Sequence, residues 1–291
     1  MYIPLENRGL IKIEGPDARD YLQGLVSQDM TRISDSQAVY SAFLTPQGKF
    51  LYDFFCFEIS GALVLDCEAD RRSDFFKRLS MYKLRSDVTL SDITDDFQVY
   101  GVIDDDLGLG EERGHTAPLG GGVAYVDPRL AAMGARAVLP QGDTALDAAG
   151  LAPGTTEDYE RARIALGLAD GSRDMAVDKA LLLENGFEEL DGVSFTKGCF
   201  MGQELTARTR YRGLVKKRLL PVTINGTAPE VGAALQGPDR EAGEMRTSQG
   251  NVGLALVRLD QLADGVSFTA GDTTLTPTVP DWVVFQDKGE D

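Results

Sequence analysis

A single cysteine in a polar segment bracketed by glycines has the surroundings that thiol chemistry needs. Residues 197–204 read Lys-Gly-Cys-Phe-Met-Gly-Gln-Glu, so Cys199 stands between Gly198 and Gly202 and two positions after Lys197. Glycines permit backbone angles that other residues resist, and they let a ligand approach closely. A nearby ammonium favours the thiolate form of a thiol, because opposite charge lowers the cost of ionisation. We name residues 197–204 the cysteine segment and predict that Cys199 is a reactive group.

The alternative is that Cys199 is an ordinary buried cysteine, since free cysteine is among the most buried residue types. Cys56 and Cys67 lie in apolar runs and are predicted to fill a core. Three widely spaced cysteines do not form a disulfide framework, and a lone His115 cannot complete a usual zinc site or a Ser-His-Asp triad. We therefore expect no bound metal.

Reduced thiols and an N-terminus without a long apolar run predict a cytoplasmic protein.

Charge is distributed unevenly along the chain. The net charge is −17, which argues against direct nucleic-acid binding, and no run of about 18 apolar residues that could span a membrane occurs. Residues 197–218 nevertheless hold seven basic residues and one acid, Glu204, for a local charge of +6. This basic island is a candidate dock for an anionic ligand. The alternative is a strand with alternating solvated Arg and Lys. The seven basic residues are Lys197, Arg208, Arg210, Arg212, Lys216, Lys217 and Arg218.

The elements that must position this segment fall into two regions. At 291 residues the chain exceeds the size at which single cores stop growing, so two or three domains are expected. The first part mixes hairpins with amphipathic helices, which favours an α+β arrangement. After Gly213, short β-rich stretches predict a small antiparallel barrel or sandwich. The elements expected are strands at 10–13, 39–43, 50–59 and 63–67, helices from 15, from 70 to 84 and from 155 or 156, and strands at 214–224, 253–259, 266–269 and 282–285.

The cysteine segment, followed by Ala207-Arg208 and Tyr211-Arg212-Gly213, resembles the signature of the YgfZ-like folate-binding proteins of iron–sulfur cluster assembly, relatives of the glycine-cleavage T-protein. The resemblance extends over most of the chain. Its weaker pieces are Gly48-Lys49-Phe50-Leu51-Tyr52-Asp53, Tyr82-Lys83-Leu84-Arg85, Asp127-Pro128-Arg129 and Val193-Ser194-Phe195-Thr196.

The resemblance implies an α+β fold of two interleaved subdomains, residues 1–212, followed by a C-terminal antiparallel β-barrel, residues 213–291. It implies that tetrahydrofolate occupies a central opening and that Cys199 is the functionally required residue. The protein would support the maturation of iron–sulfur enzymes, including those that modify tRNA, with iron–sulfur assembly proteins or client enzymes as partners. The residues carried over as folate contacts are Lys197, Gly198, Phe200, Gly202, Gln203, Glu204, Arg208 and Asp53.

Two departures from the T-protein bear on an alternative function. That enzyme has paired acids after its Gly-Gly turn, where this chain has Tyr52-Asp53, and a glutamate in the helix where this chain has Ala165. Aminomethyl transfer needs a carboxylate placed to handle charge at the pterin nitrogens. A T-protein-like aminomethyltransferase or demethylase is therefore the second hypothesis, with Asp53 expected to be exposed on a strand. A binding module that uses the basic island without chemistry is the third.

Overall fold

Sixteen strands and six helices form the framework, and the computed structural model describes residues 1–285. The strands are β1 (Tyr2–Pro4), β2 (Arg8–Glu14), β3 (Val39–Leu44), β4 (Phe50–Ile59), β5 (Ala62–Glu68), β6 (Thr89–Asp92), β7 (Phe97–Val102), β8 (Thr116–Leu119), β9 (Gly122–Val126), β10 (Ala135–Pro140), β11 (Lys217–Asn225), β12 (Ala234–Gln236), β13 (Glu241–Gln249), β14 (Val252–Arg258), β15 (Phe268–Ala270) and β16 (Thr273–Pro277). The helices are α1 (Ala18–Gln23), α2 (Arg72–Tyr82), α3 (Ala145–Ala148), α4 (Thr156–Ala165), α5 (Gly171–Asp174) and α6 (Gln203–Tyr211).

Two five-stranded antiparallel sheets share the first part of the chain. The first sheet has the order β3-β4-β5-β2-β6, and the second has the order β1-β7-β10-β9-β8. The chain therefore starts in the second sheet with β1, crosses to the first sheet for β2 to β6, and returns with β7. This exchange gives the two interleaved α+β subdomains that the resemblance implies. The predicted fold class is confirmed.

Alternation along β4 assigns its side chains to two cores. Phe55 and Phe57 belong to the large inner cluster, whereas Tyr52, Phe54 and Cys56 belong to the outer cluster beneath α1 and α2. Because successive side chains of a strand point to opposite faces, Asp53 shares the inner face with Phe55. The candidate carboxyl thus points toward the interior between the sheets.

Local sequence signals explain where the helices begin. Gly15 has a φ of +121° and precedes Pro16, which suits the first turn that leads into α1. Thr155 caps α4 in a capping box with Asp158, in which each side chain bonds the backbone of the other residue. The prediction of a helix beginning at 155 or 156 is confirmed, as is the amphipathic helix that starts near residue 70.

The third sheet is a closed antiparallel barrel with the order β11-β14-β13-β12-β15-β16. Its core consists of small and branched side chains around Leu220, Met245 and Phe268. The sequence did not indicate β12, β13 and β16, and the strand expected at 282–285 is wrong. Trp282 lies instead against Gly186, outside the strands. The barrel strands fall within the predicted 213–291 region, and the boundary at 212/213 stays a prediction.

The largest difference from expectation concerns residues 203–211. Alternating Arg and Lys left a strand as one interpretation of the basic island, but these residues form α6. Gly202 precedes it in a left-handed conformation, with φ of +82° and ψ of 3°. Within residues 1–285, no helix is both long and apolar enough to cross a membrane, and no cluster of three or more His, Cys, Asp or Glu residues is arranged to hold a metal ion.

Candidate functional site

Lys197 anchors the cysteine segment by hydrogen bonds to residues 26–28, which follow α1. Its Nζ donates hydrogen bonds to the carbonyl oxygens of Val26 and Gln28, at 2.6 and 2.7 Å. Burial lowers the pKa of Lys197 to about 8, and the charge of Asp29 opposes this shift. The ammonium is therefore held by backbone carbonyls, a role that the sequence did not indicate. It positions the loop that carries Cys199.

The other side of the loop is fastened through its backbone. The Met201 N–H donates to the Gly24 carbonyl at 3.1 Å, and the Gln203 side chain donates to the Gly198 carbonyl at 3.1 Å. Phe200 is buried and lies with its ring centroid 5.3 Å from the Lys197 ammonium. The predicted residues Lys197, Gly198, Phe200, Gly202 and Gln203 are thus brought together as the frame of the loop.

The three thiols differ sharply in access to solvent. Cys199 is exposed, whereas Cys56 and Cys67 are buried with relative exposures of 0% and 1%. Burial raises the pKa of Cys67 to about 12 and raises that of Cys56 as well. A thiol acts as nucleophile or metal ligand in its thiolate form, so these two are inert in the native fold. Within residues 1–285, Cys199 is the one exposed thiol that can contact a partner.

Of the other predicted folate contacts, Glu204 and Arg208 lie on the exposed side of α6, whereas Asp53 lies on the inner face of β4. Asp53 has a relative exposure of 4%, and one of its oxygens accepts a hydrogen bond from the Tyr40 hydroxyl at 2.9 Å. Burial raises the pKa of Asp53 to about 6, and the charge of Arg8 opposes this shift. The expectation of a strand-exposed aspartate is wrong, because the inner face of β4 is covered by the second sheet and by α5. Among the described hydrogen bonds, none joins Asp53 to the cysteine segment.

A network of buried charges fills the space around Asp53. Arg8 and Arg136 both contact the Asp66 carboxylate, at 2.6 and 2.5 Å, and Arg129 pairs with Asp127 at 2.8 Å. The three guanidinium groups also lie over the Phe55 ring, with Arg136 at 3.9 Å from its centroid. Sequence reasoning missed this network, because it joins strands β2, β5 and β10 and the segment after β9, which are far apart in the chain.

Arg163 extends the network to the barrel. Its guanidinium donates to Glu160, Asp174 and the Leu168 carbonyl, and to the Thr247 hydroxyl on β13. Although burial alone would raise it, the hydrogen bonds and charge of Arg163 hold the pKa of Glu160 below its usual range. The carboxylates of Glu160 and Asp174 are both engaged in ion pairs with Arg163, so this buried region is a structural core.

A groove of about 370 Å³ opens beside the cysteine segment. Its walls come from residues 28–32, 188–196 and Arg210. Arg32 holds Asp191 through two hydrogen bonds of 2.9 and 2.7 Å, and Arg210 pairs with Glu188 at 2.5 Å while stacking on Phe195. Pockets of about 300–1,000 Å³ hold small organic ligands. Two parts of this groove were singled out from the sequence, the run from Val193 to Thr196 and Arg210 of the basic island.

The comparisons with known proteins agree with this fold. The family model described as the CAF17 C-terminal β-barrel domain matches residues 216–285. The mouse and human proteins named "Iron-sulfur cluster assembly factor IBA57, mitochondrial" are 34% and 33% identical, each over 96% of this chain and 84% of the relative. A crystal structure of the glycine cleavage system aminomethyltransferase T from Bartonella henselae has a TM-score of 0.73 at 16% identity, covering 97% of this chain and 86% of that one. That likeness shows the fold alone.

These relatives also correct one expectation and identify the family. The predicted cytoplasmic location is contradicted, since the mouse, human, Dictyostelium discoideum and Neurospora crassa proteins are mitochondrial by name. The prediction of a relationship to iron–sulfur assembly proteins with the T-protein fold is confirmed. The relatives found are of the IBA57 type. With 34% identity over nearly its full length, the chain belongs to the family of IBA57-type iron–sulfur cluster assembly factors.

Proposed function

We propose that the protein supports the assembly or repair of iron–sulfur clusters in client enzymes, including enzymes that modify tRNA, and that Cys199 is its reactive group. The exposure of Cys199 on a loop fastened from both sides carries this proposal. Cysteine thiolates are the usual ligands of iron in such clusters. Iron–sulfur assembly proteins or the client enzymes are the partners that this role requires.

The number of accessible thiols limits what one chain contributes. Iron–sulfur clusters are commonly held by four cysteine thiolates. Because Cys56 and Cys67 are buried in the core, one chain offers a single accessible thiol, and the remaining ligands must come from the partner. Cys199 would thus contact a cluster in transit and would not store one.

Complementation of a strain that lacks the family member tests this role. We expect wild type to restore the activity of iron–sulfur enzymes and Cys199→Ser to leave it at the level of an empty vector. The substitution is nearly isosteric and lies on the surface, so the melting temperature should hardly change. Restoration of full activity by Cys199→Ser would contradict the proposal.

We also propose that tetrahydrofolate binds in the groove beside the cysteine segment. Glu188 has one oxygen without a partner among the described residues, which can accept from an amino-pyrimidine, and Phe195 offers a ring for stacking. Arg32 and Arg210 also line the groove, where a glutamate tail would compete with Asp191 and Glu188 for their guanidinium groups. When bound, tetrahydrofolate supplies a reduced pterin that can carry a one-carbon unit. Asp53 does not fit this task, because its carboxyl is covered.

Calorimetric titration with tetrahydrofolate distinguishes the groove from the other predicted contacts. We expect binding by wild type and a loss of about tenfold in affinity for Glu188→Gln, which removes the charge of the acceptor. Arg208→Met serves as the matched control, since Arg208 does not line the groove. Absence of heat at high micromolar folate would refute folate binding. A loss of affinity for tetrahydrofolate in Arg208→Met alone would indicate that folate binds on the exposed side of α6 and not in the groove.

A further inference from the structure

The structure sorts the basic island into engaged and free cations. Lys197 bonds two carbonyls, Arg210 pairs with Glu188, and Arg218 is buried beside Glu189. Arg208, Arg212 and Lys216 are exposed and Lys217 is half-buried, and no ion pair or side-chain hydrogen bond to these four occurs within residues 1–285. The fully exposed, unpaired charge of the island is therefore concentrated in Arg208, Arg212 and Lys216.

The free arginines lie on one face of α6. Glu204, Arg208, Tyr211 and Arg212 are all exposed, and their spacing of four, seven and eight residues places them on the same side of a helix. Thr206 and Thr209 are buried on the opposite side. We define these four exposed residues, with Leu214, as the α6 face. The exposed thiol of Cys199 precedes the same helix by four residues.

Tyr211 gives this face an apolar centre. It is 70% exposed, and Leu214 is also among the exposed large hydrophobic residues. Arg210 holds the orientation of the Tyr211 side chain, because its guanidinium lies 5.2 Å from the ring centroid and donates to the hydroxyl at 3.3 Å. Tyrosine and arginine are, with tryptophan, the residues enriched at the energetic centres of protein interfaces. A supported, exposed tyrosine between two unpaired arginines has this composition.

Neither helix-dipole stabilisation nor nucleic-acid binding accounts for the whole α6 face. Basic residues near a helix C-terminus interact favourably with the helix dipole, which explains the arginines but not the exposed Tyr211 and Leu214. A nucleic acid presents a long, uniform array of phosphates, and the acidic remainder of this chain would repel it. A protein with a local cluster of carboxylates can meet Arg208, Arg212 and Lys216 over a short range, so it brings less negative charge near the acidic remainder than a nucleic acid does.

We propose that the α6 face is the docking surface for an acidic protein partner, whose carboxylates pair with Arg208 and Arg212 and whose apolar side chains cover Tyr211 and Leu214. Docking here brings the partner next to Cys199. This inference rests on the proposed function, since the partner is the protein that exchanges a cluster with Cys199.

Charge reversal in the same complementation strain tests the surface. We expect Arg208→Glu with Arg212→Glu to lower the recovered iron–sulfur enzyme activity at least about tenfold, because carboxylates would then face carboxylates. Arg208→Lys with Arg212→Lys keeps the charge and should restore most of it, and Tyr211→Ala should lower it severalfold. Arg161→Glu with Arg240→Glu, which changes two exposed arginines elsewhere, is the matched control and should be silent.

The outcomes separate this inference from the function on which it rests. Full activity of the charge-reversed protein alongside an inactive Cys199→Ser overturns the docking surface and leaves the proposed function standing. Full activity of both variants refutes the proposed function. The purified charge-reversed protein should keep the melting temperature and the alkylation rate of Cys199; if its melting temperature falls, Arg208→Glu alone replaces it. Tight binding of a fluorescent single-stranded RNA that the reversal abolishes would assign the α6 face to nucleic acid instead and would overturn the proposal.

Discussion

Replacing Arg163 with methionine is expected to lower the free energy of unfolding by about 3–5 kcal/mol, the cost of breaking a buried ion pair by removing one partner. Arg163 has a relative exposure of 1% and joins α4 to α5 and the barrel. Methionine fills much of its volume but leaves the Asp174 carboxylate buried with less compensation. Urea unfolding of the purified variant measures the change.

Arg161→Met is the matched control on the same helix. Its side chain is 58% exposed and lies 3.9 Å from Asp158, and such surface pairs contribute about 0–1 kcal/mol. The pH dependence gives a second readout. The pKa of Glu160 is held below its usual range, so its contribution to stability is present above the unfolded-state pKa and is lost as the pH falls through the folded one. Arg163→Met should therefore show a shallower loss of stability below about pH 5. Equal effects of Arg163→Met and Arg161→Met would contradict the structural role of this network.

Gly202→Ala is expected to cost about 2–5 kcal/mol of stability, the sum of a left-handed backbone and of overpacking. At this position φ is +82°, and an added Cβ would lie 2.6 Å from the Thr45 carbonyl oxygen and 2.9 Å from the Gly48 Cα. Both neighbours are backbone atoms of the turn between β3 and β4, so they cannot rotate away. The cysteine segment is seated against this turn, and the substitution should displace it. Thermal or urea unfolding measures the loss.

Gly198 provides a comparison within the same segment. It also has a positive φ, of +96°, but a Cβ there would meet no atom within 4 Å. Gly198→Ala should therefore cost only the left-handed strain of about 1–2 kcal/mol. If Gly198→Ala were as damaging as Gly202→Ala, close packing against the turn would not be the reason for a glycine at 202.

Short-range signals predicted much of the framework. The capping residues of α4, the helix after Gly15-Pro16-Asp17 and the alternating strands of the first sheet depend on neighbours within a few residues, which a sequence displays directly. The glycine-bracketed Cys199 was likewise visible as an accessible thiol. Its exposure follows from the polar, glycine-rich character of its surroundings, whereas Cys56 and Cys67 lie in apolar runs.

Long-range pairing explains what could not be predicted. Helix α6 buries only threonines on its inner side, so it lacks the apolar stripe by which helices are recognised. The burial of Asp53 depends on Tyr40 and on strands of the second sheet, and charged residues are otherwise expected at the surface. The groove is built from residues 28–32 and 188–196, which approach each other only when the chain has folded.

The contrast between one exposed and two buried thiols has a consequence for oxidative stress. Among the three thiols, an oxidant that reaches the native protein meets Cys199 first, so damage would remove the thiol to which we assign the proposed function before it harmed the architecture. A partner seated over α6 would shield that sulfur during use. The protein without a bound partner would then be the vulnerable form. Its lifetime in an oxidising compartment would depend on the fraction of time that it spends unbound.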